Sequence, residues 1–158
     1  PMNITTKKGD QGSTSLYDGT RVPKDDARIE LNGELDELNA LLGLCKAATG
    51  QSQPYETVQR ELMLLMAVVA RRPDAAAADV LSAAVDRMEQ FVRTATEGRR
   101  FDFVLPGRSL ADAAIHMARA KVRTCERRLV ALQREDVLPP VLLVYLNRLS
   151  DFLFCLPD

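Results

Sequence analysis

The sequence predicts an all-α fold, a five-helix antiparallel bundle. Three observations carry that expectation. Five stretches repeat apolar residues at spacings of three and four, glycine or proline punctuates most of the gaps, and the connections are short enough to make consecutive helices antiparallel neighbours. No run alternates apolar and polar residues as a half-buried strand would, so strands are not expected.

Residues 1–24 hold Gly9, Gly12 and Gly19 and no helical apolar period, so they read as a loop segment. The first helix begins near Ala27 and carries Ile29, Leu31, Leu35, Leu38, Leu41, Leu42 and Cys45 until Gly50 stops it. Pro54 suits the start of the second, with Val58, Leu62, Leu65, Met66 and Val69 inside and Pro73 as its limit. Asp74 is expected to cap the third, which buries Val80, Leu81, Ala84, Met88, Phe91 and Val92 and ends at Gly98. After the loop Arg99–Arg108, Ser109 caps the fourth helix, whose core face is Ala114, Ala118, Val122, Cys125 and Leu129. Pro139 and Pro140 open the fifth, which runs through Leu142, Tyr145, Leu146, Leu149, Phe152 and Leu153 to about Cys155. The organisation expected is one domain over 1–158: a phosphate-binding loop segment over 1–26 and a helical bundle over 27–156.

Hydrophobic residues at 46% and charged ones at 27% fit a globular domain rather than a disordered chain. A net charge of −1 argues against a general nucleic-acid binder, which needs a broad basic field, though local clusters can hold a small anion. Cys45, Cys125 and Cys155 are far apart, odd in number and set among apolar residues, so they read as reduced core thiols. No signal-peptide core or membrane-length run is present, and a cytoplasmic protein with no membrane partner is the expectation. No protein metal site is expected. The only histidine, His116, follows Ala113 by three, so the Glu-x-x-His pairs of di-iron bundles are missing and His116 reads as a hydrogen-bonded helix-face residue.

Four stretches carry candidate chemistry. In Thr6-Lys7-Lys8-Gly9-Asp10-Gln11-Gly12-Ser13-Thr14-Ser15, two glycines three apart let successive N–H groups face one point, a cradle for phosphate oxygens. Lys7, Lys8 and the later Lys24 add charge, and Thr14 and Ser15 add hydroxyls. The segment is not a Walker A loop, because no Gly-Lys-Ser/Thr follows at the required distance. On the fourth helix, Arg119, Arg123, Glu126 and Arg127 recur at three and four and share a face. The carboxylates of Glu34, Asp36 and Glu37 are either an acid/base group or an exposed first turn favoured by the helix dipole, and Asp36 could partner a fourth-helix arginine. On the fifth helix Asn147, Asp151 and Phe154 share a face, and Asn147 needs a partner there.

Taken in order, these stretches resemble the PduO-type ATP:cob(I)alamin adenosyltransferases. TKKGDQGSTSL is similar to that family's TKTGDxGTTxL loop, and RVPKDD, GELDELNALLG, FVLPG, HMARAKVRTCERRLVAL and YLNRLSDFLF match its later blocks. The resemblance implies a ferritin-like homotrimer with sites between subunits, the loop of one binding ATP with the arginine helix of the next. It implies that Thr6, Lys7, Lys8, Gly9, Thr14, Ser15 and Lys24 hold the nucleotide phosphates, and that Arg123, Thr124, Glu126, Arg127 and Asn147 complete that site. Asp36 and Arg119 would pair across the boundary, and Phe103 would pack where the corrin's lower axial ligand otherwise sits, with Arg119 also at the cobalamin side. Arg123, Phe103, Asp36 and Arg119 are thus the residues it ties to catalysis. ATP with Mg²⁺ and cob(I)alamin would be the ligands, and a reductase and an acceptor enzyme possible partners.

The sequence also departs from the family. Thr124 replaces the second of two arginines, so one cationic fork is lost. Arg108 follows the LPG where a second glycine is usual, adding either bulk near the corrin edge or a compensating charge, and Lys121 could compensate too. The stretch Leu62–Arg72 lacks an LFDLG-like pattern, and an ending at Asp158 would omit an extension that helps close the site in some members. A non-catalytic carrier or nucleotide sensor on the same scaffold is the alternative these departures favour.

Overall fold

The structure, a computed structural model, describes residues 3–156. Asp26 opens helix α1 (Ala27–Thr49), its side chain accepting from Arg28 N at 2.9 Å, and Gly50 closes it at φ 69° with its N–H on Lys46 O. Helix α2 (Tyr55–Val69) follows Pro54. Helix α3 (Ala77–Thr96) starts after Ala76 with no side-chain cap; Asp74, the expected cap, stands two residues earlier and accepts from Ala76 N at 3.0 Å. That short turn satisfies the carboxylate locally, and the helix starts beyond its reach. Ser109 caps α4 (Leu110–Gln133) by accepting from Asp112 N at 2.9 Å, and α5 (Val141–Phe154) begins after Pro140.

One face of each helix is shut from solvent. Leu31, Leu35, Leu38, Leu42 and Cys45 of α1 and Ala118, Val122, Cys125 and Leu129 of α4 are fully buried, as the periodicity requires. Helix α4 packs along both α1 and α5, α5 also packs on α3, and α2 flanks α1. Burial pushes the Cys45 thiol up to about 11 and Cys125 to about 12, so neither forms thiolate near neutrality. Among the described residues no helix is long and apolar enough to cross a membrane.

Of the charged residues buried among the described ones, Glu61 and Arg28 lie between helices and are satisfied there. Glu61 of α2 accepts from Tyr145 Oη of α5 at 3.0 Å and from Arg87 Nη2 of α3. Arg28, only 6% exposed, donates to Asp136 Oδ2 at 2.7 Å and to Val69 O at 2.8 Å, joining the start of α1 to the ends of α2 and α4.

The expectation of no strands is wrong in one place. Ser13–Ser15 (β1) and Arg21–Pro23 (β2) form an antiparallel hairpin with Ser13 opposite Pro23, Thr14 opposite Val22 and Ser15 opposite Arg21. Three-residue polar strands carry no hydrophobic alternation to read; the pairing is held instead by hydrogen bonds and by Leu16, 5% exposed, tucked under the turn.

Candidate functional site

The N-terminal loop is built to hold charge close to backbone. Lys7 takes a left-handed φ of 62° and Gly12 one of 87°, and turns close through Asp10 N on Lys7 O and Gly12 N on Gly9 O. The N–H groups of Gly9 and Gln11 meet no acceptor among the described residues, so they remain available to an anion. Lys24 folds back over this curl. Its N–H donates to Gly12 O at 2.9 Å, and its Cε and Nζ lie only 2.9 Å from where a Cβ on Gly9 would stand. Glycine at position 9 is what lets the ammonium come in.

Arg21 fastens the hairpin from the opposite strand. Its guanidinium donates to Ser15 Oγ at 3.0 Å, to Ser13 Oγ and to Lys8 O at 3.2 Å. Because strand side chains alternate, Ser13 and Ser15 face Arg21 while Thr14 faces the Val22 side. Thr14 and Ser15 therefore present their hydroxyls to opposite faces, and that of Ser15 is already engaged. Thr6 Oγ1 accepts from Lys8 N at 3.4 Å.

On α4, Arg119, Arg123, Glu126 and Arg127 share the expected face, next to α5. Glu126 accepts from Asn147 Nδ2 at 3.4 Å, Asn147 Oδ1 accepts from Arg148 Nη1 at 2.7 Å, and Arg148 reaches Glu89 at 2.8 Å. Arg127 Nη2 donates to Thr124 Oγ1 at 3.1 Å. Lys121 does not compensate for Thr124. It turns to α1 and pairs with Glu34 at 2.7 Å and Glu37 at 2.8 Å, which raises its pKa, Glu34 contributing most. Two carboxylates one helical turn apart draw the ammonium away from the arginine row.

The loop 101–108 leaves Phe103 and Leu105 in solvent. Asp112, 3% exposed, gathers its end: it accepts from Gly107 N at 2.9 Å, Arg108 N at 3.1 Å and Arg108 Nη2 at 2.8 Å. The Arg108 side chain, then the Gly107 N–H, hold the Asp112 carboxyl well below the usual carboxylate range. Arg108 thus spends its charge on Asp112 and does not stand in for the lost arginine fork. Asp112 Oδ1 also lies 3.4 Å from His116 Nε2, and His116 Nδ1 accepts from Arg119 Nε at 3.4 Å. A cavity of about 790 Å³ opens beside this chain, walled by Phe91, Phe101, Val104 and Phe154, with Arg100 and His116 among its polar lining.

Two cationic groups result: the loop with Lys7, Lys8 and Lys24, and the arginine row of α4. Among the described residues no hydrogen bond or ion pair joins them, and Asp36 has no ion pair. No trio of carboxylate, His or Cys side chains is gathered for a metal among the described residues. Arg21, Asp112 and His116 brace these two groups, and nothing in the sequence marks them for that; Arg21 lies inside the RVPKDD block, but its reach to the serines requires the hairpin register.

A family model described as cobalamin adenosyltransferase matches residues 4–157. A corrinoid adenosyltransferase PduO of Citrobacter freundii is 40% identical over 98% of this chain and 49% of its own length. The chain spans about half the length of that relative and of its Salmonella typhimurium counterpart. A corrinoid adenosyltransferase of Bacillus subtilis is 35% identical, with 97% of this chain and 83% of the relative covered. Among solved structures, a variant of a PduO-type ATP:corrinoid adenosyltransferase from Lactobacillus reuteri, complexed with cobalamin and ATP, superposes with a TM-score of 0.77 at 29% identity, covering 97% of this chain and 88% of the other.

Proposed function

Starting from the cobalamin adenosyltransferase family, to which this chain belongs, we propose that it transfers the 5′-deoxyadenosyl group of ATP to a cob(I)alamin-type corrinoid. Cobalt(I) attacks the 5′ carbon, a cobalt–carbon bond forms, and the C5′–oxygen bond breaks with its electron pair leaving on triphosphate. The observation that carries this reading is the Lys24 ammonium brought in against Gly9 within the curled loop, a cationic group beside free backbone N–H groups.

The chain's part is alignment and charge. Lys7, Lys8, Lys24 and the free N–H groups of Gly9 and Gln11 hold the phosphates, while Thr6 and Arg21 keep the curl in shape. Thr14 and Ser15 belong to the same hairpin, one on each face. Arg123 and Arg127 meet the growing charge on the leaving group, with Glu126 and Asn147 beside the adenosine. The attack needs no general base, which suits a site whose one histidine is occupied in holding Arg119. Mg²⁺ would come with the triphosphate and neutralise part of its charge. Phe103 and the neighbouring apolar cavity would take the corrin face and exclude the lower ligand.

No hydrogen bond or ion pair joins the loop to the arginine row among the described residues, which supports a site completed between copies, as a homotrimer in which Asp36 of one subunit meets Arg119 of the next. A reductase supplies electrons, an adenosylcobalamin-dependent enzyme takes the product, and a reducing cytoplasm suits the free thiols. The test is anaerobic: protein, Mg-ATP and chemically reduced cobalamin, followed by loss of the Co(I) absorbance. Mixing a Lys7→Ala chain with an Arg123→Ala chain should restore turnover that neither shows alone; no restoration would rule out the shared site. A second reading, a nucleotide or corrinoid binder without turnover, is favoured by one observation: neither Lys121 nor Arg108 replaces the charge missing at Thr124. ATP-dependent thermal stabilisation with no loss of Co(I) absorbance would select it.

A further inference from the structure

Arg71 lies outside the candidate site residues above, in the stretch that lacks the LFDLG-like pattern. It follows the last turn of α2, where Arg72 N donates to Ala67 O at 2.8 Å and Arg71 N to Val68 O at 3.1 Å. This is a Schellman closure, and its left-handed position, φ 65°, is the one glycine normally fills. An arginine there accepts backbone strain that glycine avoids. What the side chain does from that position is specific. Its guanidinium lies 3.6 Å from Asp18 Oδ2 in the hairpin turn and 3.4 Å from Asp136 Oδ2 at the end of α4. Asp136 is itself fixed by the buried Arg28. Beside it, Tyr17 N donates to Ala70 O at 2.9 Å and Arg72 lies over the Tyr17 ring at 5.3 Å.

We propose that Arg71 is a positioning residue for the nucleotide: it ties the hairpin, and with it the phosphate loop, to the fixed end of the bundle. The role in nucleotide binding rests on the function proposed above; the tie itself does not. Leu16, Thr20 and Val22 of the hairpin also lie beside the start of α1 and the end of α4, but the polar contacts of its turn with the bundle, Tyr17 N on Ala70 O and Asp18 with Arg71, are at this helix end; the loop's reach toward a neighbouring copy depends on the angle at which it is held. A left-handed Arg71 directs the guanidinium back over the hairpin turn, between the two carboxylates.

Arg71→Gly separates the two effects. Glycine relieves the backbone and removes the bridge, so the melting temperature should hold or rise while the hairpin loosens. Loss of two exposed ion pairs should lower the fraction of correctly held loop, raising the ATP KM about fivefold. The kcat and corrinoid KM should stay near wild type, and Arg71→Lys should recover part of the ATP KM. Amide exchange at Leu16–Val22 should quicken while α1, α4 and α5 are unchanged. Hairpin exchange at the wild-type rate, or exchange that quickens equally throughout the bundle, would overturn the proposal, as would an unchanged ATP KM in an active enzyme. A wild-type chain without turnover would instead remove the proposed function, and the exchange comparison would still decide the bridge.

Discussion

Replacing Gly9 by alanine tests the phosphate cradle with a single methyl group. The backbone of Gly9 lies outside the left-handed region, so alanine is tolerated there without conformational strain. The new Cβ would stand 2.9 Å from both Cε and Nζ of Lys24, against an ordinary contact of at least 3.4 Å. The lysine tip must therefore withdraw by about half an ångström, which a flexible side chain does cheaply; the fold should change by no more than about 0.5 kcal/mol. The ammonium then no longer sits where it would meet a phosphate oxygen. Full loss of such a charge-assisted bond, as in Lys24→Ala, is expected to cost about 1.5–3 kcal/mol of ATP binding. A partial displacement should cost about 1 kcal/mol, roughly fivefold in affinity. Calorimetric titration of Mg-ATP into the two single variants and the double variant supplies the decisive comparison. In the Lys24→Ala background the Gly9→Ala change should cost almost nothing, a coupling of about 1 kcal/mol. Additive losses would show that the methyl acts elsewhere, and the cradle as described would be refuted.

Three further outcomes follow from contacts inside one chain. Tyr145→Phe leaves buried Glu61 with Arg87 alone, and stability measured by urea unfolding should fall by about 1–3 kcal/mol with no change in the activity of the folded fraction. Asp112 has a folded pKa held below its unfolded value, so its stabilisation is complete above the unfolded value near 4 and is lost as pH falls through the lower folded one. The stability gap between wild type and Asp112→Asn should be constant at neutral pH and close in acid; a gap that widens in acid would contradict the assignment. His116→Asn places an amide oxygen near the position of Nδ1 and can still accept from Arg119, whereas His116→Gln matches Nε2 and cannot. Turnover at saturating ATP should survive better in the asparagine variant, and equal losses would dismiss the contact with Arg119.

The helices were legible because each signal is local: leucines at three and four, a capping Ser109, a Pro140, a Gly50. What escaped is the work of side chains that meet across long stretches of chain. Arg28 and Asp136 are more than a hundred residues apart, and no window of sequence distinguishes a buried arginine from a solvated one. Lys121 sits where it could have served the arginine row, but two carboxylates on α1 claim it. The hairpin strands Ser13–Ser15 and Arg21–Pro23 are too short and polar to announce themselves, and Arg21 gains its function only once they pair. The motif order singled out the N-terminal loop and the arginine row of α4; the residues that brace them, Arg21, Arg71, Asp112 and His116, show only in the fold.

Phe103 stands fully in solvent, and within one chain the ring contributes nothing to the bundle's own cohesion. A residue at such a place is not held by the packing of its own chain. Leucines in the interior cannot drift without a folding penalty, but this ring can be enlarged, shrunk or made polar while the scaffold persists unaltered. Substitutions at this spot would thus leave the bundle's stability nearly unchanged, and any effect they have would report on what meets the loop from outside the chain.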